Sequence, residues 1–501
     1  MGKIICLGAF LLFRLIHWLG AEPNADEAYY WWWAKNFSLS YYDHPPLMAW
    51  LQGIVSHWLG DSRFSLRCLN LVSNAILFYV YWQILQYLKP DTDRPELQRS
   101  MLDLSLIICS SPLFCLMLSL AWHDHLMLCL CLSSAYVMVR FLDAYKYGGR
   151  ADDRLLYGAT ILLGLALITK HNAVFVGLAF LVTILTDAQL RTLINLRRVC
   201  LCGLILCLIF SPVLLWNYEH DFPAFHYYVD RVGQSRSFGE QISEVLGFVL
   251  LSILMLSPFI TWQLGKLFNH WNLPNCLGRE TIFGRLAVYN FLLPTVAFTI
   301  IAGASTAYYY WNVTAYLLLF PLLVMRANFL SPKAWQAIVS FGLLFSCLFT
   351  INSTLLPIGS LFSPDSDQDG RILFGWETVT TAIEQKFPQV SIVATTDYRS
   401  ASALAFRSSS INPLTVTIVS PRITQFNFVP LPSPPELLLW DDWHPVTDWL
   451  RTKLPPIAKD QMVTVPVYAG GVFLKNYYIA PFSAPHLTQN YSPSPVGEGK
   501  E

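Results

Sequence analysis

A polytopic α-helical membrane protein with a small α/β domain near its C-terminus is the architecture this sequence predicts. Three observations carry that prediction. The 501 residues are 54% hydrophobic and only 13% charged, whereas a soluble domain carries about 25% charged residues. The apolar residues fall in long runs separated by short charged connectors, the hydropathy pattern of repeated membrane crossings. After residue 354 the pattern changes: Pro and Ser rise, apolar runs shorten and strand-like alternation begins. The formal net charge is zero, so the charge balance gives no argument for a nucleic-acid partner.

About eleven runs are candidate spans, near 4–20, 64–88, 102–121, 126–145, 155–170, 173–187, 199–216, 243–263, 285–303, 312–326 and 335–353. The first is interrupted by Arg14 and His17. It therefore reads as a retained span rather than a cleaved signal peptide. The 11 cysteines end at Cys347 and sit mostly among leucines. Pairs such as Cys129 and Cys131, or Cys200 and Cys202, read as small apolar residues of membrane helices rather than metal ligands.

Connector charge sets an expected orientation. The loops 89–100, 146–154, 188–198, 264–284 and 327–334, with their helix ends, hold 15 Lys and Arg residues, while the opposite set holds mainly Lys35, Arg63, Lys170, Arg231 and Arg236. Positive charge favours the cytoplasmic side. The first set is thus expected inside, in a cytoplasmic (inner) membrane, with the second set and everything after about residue 354 facing the periplasm. The expected organisation is a membrane domain over 1–353, with its first outward loop at 21–63, and an extracytoplasmic α/β domain over 354–483. A tail over 484–501 has no periodicity and is expected to be disordered. In the α/β domain, 391–397, 414–420, 436–442 and 463–468 read as strands and Trp376 to Lys386 as a helix. No disulfide is expected there.

The unusual chemistry lies in the outward loops. Residues 25–46 read ADEAYYWWWAKNFSLSYYDHPP. Asp26 and Glu27 stand where a carboxylate at a membrane surface could take a proton from an acceptor. Asn24 or Asp26 could equally cap the helix that follows, and a capped helix start also fixes a carboxylate in place. Tyr29, Tyr30 and Trp31 to Trp33 fit an amphipathic helix in the headgroup plane. Asp43-His44-Pro45-Pro46 is an extended turn before a second candidate interfacial helix, Leu47 to Leu59, and His44 could donate to a phosphate or carboxylate.

His123-Asp124-His125 ends another span. Positions i and i+2 diverge on a helix, so a positioning or charge-stabilising Asp124 is favoured over a metal site. Lys170-His171 lies between two spans that turn back at once, where a cation suits a lipid phosphate, although a snorkelling lysine would look the same. Arg231 and Arg236 are further outward cations, and Tyr308 to Asn312 (YYYWN, with Trp311) is another outward aromatic loop.

DEAYYWWW, YYDHPPL, HDH, GLALITKHNAV, SPVLLWNYEHDF and YYYWN occur in this order over roughly residues 5–350. The ordered set resembles the GT-C glycosyltransferases, and within them the bacterial branch of the protein O-mannosyltransferase and lipid A aminoarabinose transferase superfamily. The resemblance implies a GT-C fold with about 11 transmembrane helices. It also implies transfer of a sugar from a polyprenyl-phosphate donor to a lipid A, glycolipid, polysaccharide or protein acceptor at the outer face of the membrane. Asp26, with Glu27 beside it, matches the family's catalytic first-loop pair, and Asp124 matches its later loop aspartate. Lys170 occupies a short turn of the family's pattern and is the main candidate for contact with the donor phosphate. His44 stands where the aminoarabinose subgroup often has Lys, which weakens the case for aminoarabinose as the sugar. Asp43, Arg231, Tyr30 and Trp311 complete the expected substrate-binding set. The reading requires no nucleotide-sugar site, and no Gly-rich phosphate loop is present; it calls for no cofactor, and a divalent metal stays open. The rival readings are a transporter or flippase of lipid-linked sugars, which would place paired charges inside spans and show repeats, and a non-catalytic membrane scaffold.

Overall fold

The structure, a computed structural model, describes residues 1–223, 237–270, 279–325, 330–362, 367–453, 457 and 461–482. The tail over 484–501 lies outside the described residues. Every apolar run read from the sequence is helical, but the runs differ in what they can span. Among the described residues seven helices are long and apolar enough to cross a bilayer: α1 (Gly2–Gly20), α4 (Arg63–Leu88), α7 (His123–Gly148), α10 (Leu196–Glu219), α11 (Phe238–Leu256), α13 (Arg279–Ala304) and α15 (Pro332–Thr354). The run near 102–121 is a broken pair, α5 (Arg94–Ser110) and α6 (Pro112–Ser119), bent by 89°. Pro112 has no amide hydrogen and its ring clashes with the preceding turn, so a continuous helix fails there.

Three expected spans are shorter than a crossing. α8 (Asp153–Leu167) has 15 residues, about 22 Å of helix against a hydrocarbon core of about 30 Å. α9 (Val174–Leu185) has 12. Residues 309–325 divide into a 3₁₀ segment, Tyr309–Tyr316, and α14 (Leu319–Met325). Residues 243–263 end α11 at Ser257, whose φ of 90° breaks the helix, before α12 (Pro258–His270) begins. Hydropathy windows count apolar residues but do not register these breaks. In the first loop, α2 (Ala25–Lys35) and α3 (Leu47–Leu59) are short helices.

The chain forms two compact units. The first comprises Met1–Phe13, His44–Met48 and Leu69–Ser346. Its core includes Leu77, Ile107, Phe114, Met127, Phe283 and Phe320, all essentially solvent-free. α5 and α15 approach so closely at Gly342 that a Cβ there would lie 2.4 Å from Ser110 Cα; a small residue at the crossing lets the backbones meet. Asp187 joins separate segments of this unit by accepting from Arg285 at 2.8 Å and by pairing with Lys146.

The second unit comprises Arg14–Asp43, Ala49–Cys68 and Cys347–Glu501. Its centre is a five-stranded sheet of order β2-β1-β3-β5-β4, with β1 (Ile392–Thr395), β2 (Thr415–Ile418), β3 (Leu437–Asp441), β4 (Val463–Ala469) and β5 (Val472–Pro481). β1 is parallel to β2 and β3, whereas β5 is antiparallel to β3 and β4. α16 (Trp376–Lys386) and α17 (Tyr398–Ser408) accompany it. The four strands and the helix read from the sequence are present. β5 was not expected, although Gly470 and Gly471, with φ of 55° and 81°, are the two left-handed residues a tight hairpin demands. β5 carries Lys475, which is 4% exposed because its ammonium donates to buried Asp441 on β3 at 2.6 Å. Asp441 also accepts from the His444 ring at 3.0 Å. These cations and hydrogen bonds overcome the cost of its burial and hold its pKa below the ordinary carboxylate value.

Candidate active site

Two clusters of chemistry-bearing residues form, one in each unit. In the second unit, α2 begins with a capping box: the Asn24 side chain accepts from Glu27 N at 2.9 Å, and Glu27 Oε2 accepts from Asn24 N at 3.1 Å. The cap is therefore Asn24, one of the two candidates read from the sequence. It fixes the orientation of the first helical turn and hence of Asp26 and Glu27.

The two neighbouring carboxylates have different surroundings. Glu27 is fully buried and meets Arg67, itself fully buried, through two parallel bonds: Nε to Oε1 at 2.9 Å and Nη2 to Oε2 at 2.7 Å. The rest of the guanidinium donates to the carbonyls of His17, Trp18, Ala21 and Glu22 at 3.0–3.3 Å. These lie at the C-terminal end of α1, where carbonyls lack helical partners and cations are favoured. Arg67 was absent from the sequence-based set. Its signal was a charge within the apolar run 64–88, where an ionisable residue requires a reason.

Asp26 keeps some exposure and faces the start of α17. The Tyr398 hydroxyl donates to Asp26 Oδ1 at 3.3 Å. Loss of water around the carboxyl raises its pKa above the ordinary value and nearby Asp369 adds to the rise, while Arg399, Tyr398 and Arg422 oppose it. The net result is a carboxylate with an increased affinity for a proton. Tyr398, Arg399 and Arg422 come from a region in which the sequence reading named no site residue, more than 370 residues away from Asp26.

The aromatic run is not a headgroup-plane surface. Tyr29, Tyr30, Trp31, Trp32 and Trp33 are all at most 8% exposed. Trp32 stacks on Phe426 at 3.8 Å between ring centroids, Trp31 meets Phe406 edge-on at 5.1 Å, and Tyr29 lies 5.0 Å from Tyr398. Tyr30 packs on Trp33 at 4.9 Å. The interfacial reading of this cluster is corrected for a simple reason: the cover comes from residues 398–428, which local periodicity cannot reveal. Polar bonds join the same segments. The Tyr29 hydroxyl donates to Asp43 Oδ2 at 3.0 Å and accepts from Gln425 N at 2.6 Å, and Gln425 Oε1 accepts from Tyr42 N at 2.8 Å. Burial, then Asp43, pushes the Tyr29 phenol well above its usual pKa, so it stays a neutral donor.

In the first unit the structure brings together His44, His123, Asp124 and Lys170. Lys170 Nζ donates to both oxygens of Asp124 at 2.9 Å, and both side chains are buried. The same ammonium lies 5.3 Å from the centroid of the Tyr310 ring. His44 and His123 have ring centroids 4.7 Å apart. Burial, with Lys170 and His171 nearby, holds His44 well below its ordinary pKa, so the ring is neutral at pH 7. Leu47 N, at the start of α3, donates to Ile168 O at 2.9 Å, which seats the Pro45-Pro46 turn beside the Lys170 turn. Trp311 is half-buried against Phe298 at 5.9 Å, and its carbonyl accepts from Asn172 at 3.1 Å. Arg231 lies outside the described residues, as do Arg236 and His226.

The HDH motif diverges as its spacing predicts: Asp124 goes to Lys170, His123 to His44, and His125 Nδ1 to the Ser73 hydroxyl at 2.7 Å. Among the described residues no three His, Cys, Asp or Glu side chains gather as metal ligands. With both Asp124 oxygens held by an ammonium, these residues do not fit a divalent ion.

The buried Asp124–Lys170 pair makes a directional prediction. Removing one partner strands the other charge and costs about 3–5 kcal/mol. Lys170→Ala should therefore lower thermal stability markedly, and Lys170→Ala combined with Asp124→Ala should recover much of the loss. Thermal unfolding of the purified variants measures this; a double variant less stable than either single one would refute the pairing.

Comparison with known proteins follows the same lines. The family described as dolichyl-phosphate-mannose-protein mannosyltransferase matches residues 43–216. The lipid A galacturonosyltransferase RgtD of Rhizobium johnstonii is 22% identical over 374 residues, covering 73% of each chain. Two crystal structures of ArnT from Cupriavidus metallidurans share the fold. The one bound to undecaprenyl phosphate gives a TM-score of 0.61 at 13% identity, over 95% of this chain and 97% of that one. The apo structure gives 0.60 at 14%, over 98% and 99%.

Proposed function

We propose that this chain, a GT-C glycosyltransferase of the superfamily that includes the aminoarabinose transferases and the protein mannosyltransferases, moves a sugar from a polyprenyl-phosphate donor to a lipid A-like acceptor at the outer face of the cytoplasmic membrane. The observation that carries the mechanism is the state of Asp26: a carboxylate set by a capped helix, touched by one phenol and raised in proton affinity. A base works best when its pKa approaches the working pH. Asp26 takes the proton of the acceptor hydroxyl as that oxygen bonds to the anomeric carbon. The bond from this carbon to the phosphate oxygen breaks, and the polyprenyl phosphate leaves with the electron pair.

Glu27 belongs to the framework of the same turn: its bonds to Arg67 and Asn24 hold α2 in place. Within the first unit, Lys170, oriented by Asp124, and neutral His44 as a hydrogen-bond donor are proposed as phosphate-recognising residues. Tyr30, Asp43 and Trp311 shape their surroundings through packing and hydrogen bonds. The relatives support the two substrate classes, since one is named for lipid A and the other was solved with undecaprenyl phosphate. The excess of Lys and Arg in the opposite loops supports the outward orientation.

The test is transfer in a defined system. Full-length protein in detergent, given a polyprenyl-phosphate sugar and lipid A, should yield lipid A heavier by one glycosyl unit in mass spectrometry. Screening hexose, uronic and amino-sugar donors identifies the sugar. Failure of every donor to modify lipid A would remove the proposed acceptor class.

A further inference from the structure

The carboxyl ends of the parallel strands β1, β2 and β3 all lead into residues with polar or charged side chains. Tyr398 and Arg399 follow β1, Arg422 follows β2, and Asp441 with His444 closes β3. Open α/β sheets place ligands at this edge, outside the carboxyl ends of the strands. Here the edge also carries the phenol that touches Asp26. Two guanidinium groups surround that same ring: Arg422 at 5.2 Å and Arg399 at 5.9 Å from its centroid. Both act electrostatically on Asp26.

We infer that Arg399 and Arg422 form an anion subsite beside Asp26 that takes a phosphate monoester on the acceptor. This deepens the proposed reaction and rests on that reading. Three features favour it. First, guanidinium groups stacked on an aromatic face are held in orientation and present forked donors suited to phosphate oxygens. Second, two positive charges match the charge of a phosphate monoester, about −1.5 to −2 at pH 7. Third, the carboxylate now facing Arg399 is easily displaced: Asp369 is 3.5 Å away and 84% exposed, and such a surface pair contributes little. An acceptor phosphate can replace it without opening the core.

The arrangement also couples binding to chemistry. Arg399 and Arg422 lower the proton affinity of Asp26 in the free protein. A phosphate seated on them cancels part of that influence, so Asp26 becomes a stronger base once the acceptor is present.

The experiment uses full-length protein in detergent and two probes: lipid A with its phosphate monoesters intact, and the same lipid after enzymatic dephosphorylation. Binding of each is measured without donor, so no turnover is needed. Arg399→Gln and Arg422→Gln should each weaken binding of the phosphorylated lipid about tenfold, the effect of losing one charge-assisted contact, and should leave binding of the dephosphorylated lipid unchanged. Arg422→Lys should restore part of the loss, and Asp369→Asn should tighten phosphorylated lipid binding. In turnover, Arg422→Gln should also move the acid limb of kcat/KM to higher pH, because a cation that lowers the Asp26 pKa has been removed. Equal losses for both lipids, or a loss confined to the polyprenyl-phosphate donor, would overturn the subsite. Wild-type binding that prefers the phosphorylated lipid and depends on both arginines, but with no sugar transfer, would sink the proposed reaction and leave the subsite standing.

Discussion

Asp26→Asn is expected to reduce transfer by about 10²–10⁴-fold, the contribution of a positioned general base, while the protein still folds and inserts. The isosteric amide keeps the packing and can still accept from Tyr398, but it cannot take the acceptor proton. Stability should not fall. Asp26 binds its proton more tightly in the folded chain than in the unfolded one, so folding favours the protonated form. Asp26 therefore contributes most to stability below its unfolded pKa and loses that contribution as pH rises through the folded value. Asparagine resembles the protonated form, and the variant's Tm at pH 7 should be within about 2 °C of wild type or higher. Wild-type activity should decline on the acid side as Asp26 protonates, with a midpoint above the ordinary carboxylate pKa. Single-turnover transfer over pH 4–8 reads both effects. Near wild-type turnover by the variant would remove Asp26 from the chemistry.

Arg67→Ala should be the most damaging change to stability. It leaves the Glu27 carboxylate without its cation in a fully buried position, at a cost of about 3–5 kcal/mol, and also withdraws a donor from four carbonyls at the end of α1. Glu27→Gln in the wild-type background strands Arg67 in the same way. Combining Arg67→Met with Glu27→Leu removes both charges together and should recover much of the stability, because a buried ion pair replaced by apolar side chains is often neutral. Activity distinguishes the roles of the two acidic neighbours. The Arg67→Met/Glu27→Leu variant should keep measurable transfer wherever α2 stays folded, whereas Asp26→Asn should lose it in a folded protein. Thermal unfolding alongside transfer rates measures both, and a stable Arg67→Ala protein would contradict the ion-pair argument.

The membrane fold was legible because hydropathy is a local property: the apolar runs lie where helices are found, and the superfamily expected from the ordered motifs agrees with the fold and relatives found. Helix breaks at Pro112 and Ser257 were less legible, since an apolar window has the same mean on either side of a kink. The parallel strands of the C-terminal sheet could be read from short apolar alternation. β5 was not among the strands read from the sequence, although Gly470 and Gly471 between β4 and β5 carry the hairpin signal. In the candidate site, the sequence singled out Asp26, Asp124 and Lys170 as separate loop residues, and the structure joins the last two in one ion pair. What it withheld were partners from distant segments. Arg67 lies 40 residues from Glu27, and no local pattern links them. Tyr398, Arg399 and Arg422 drew no site reading from the sequence, and folding places them around Asp26.

The contact between Tyr398 and Asp26 spans 372 positions of sequence, which has a bearing on biogenesis. A ribosome finishes α2 and its cap early, but the phenol that bonds Asp26 and the guanidinium groups that temper its burial-raised proton affinity emerge only in the last quarter of translation. A nascent or prematurely terminated polypeptide thus carries an immature base. A chain stopped before residue 392 should accumulate in the membrane without transferase activity, and co-expressing the missing segment should restore it.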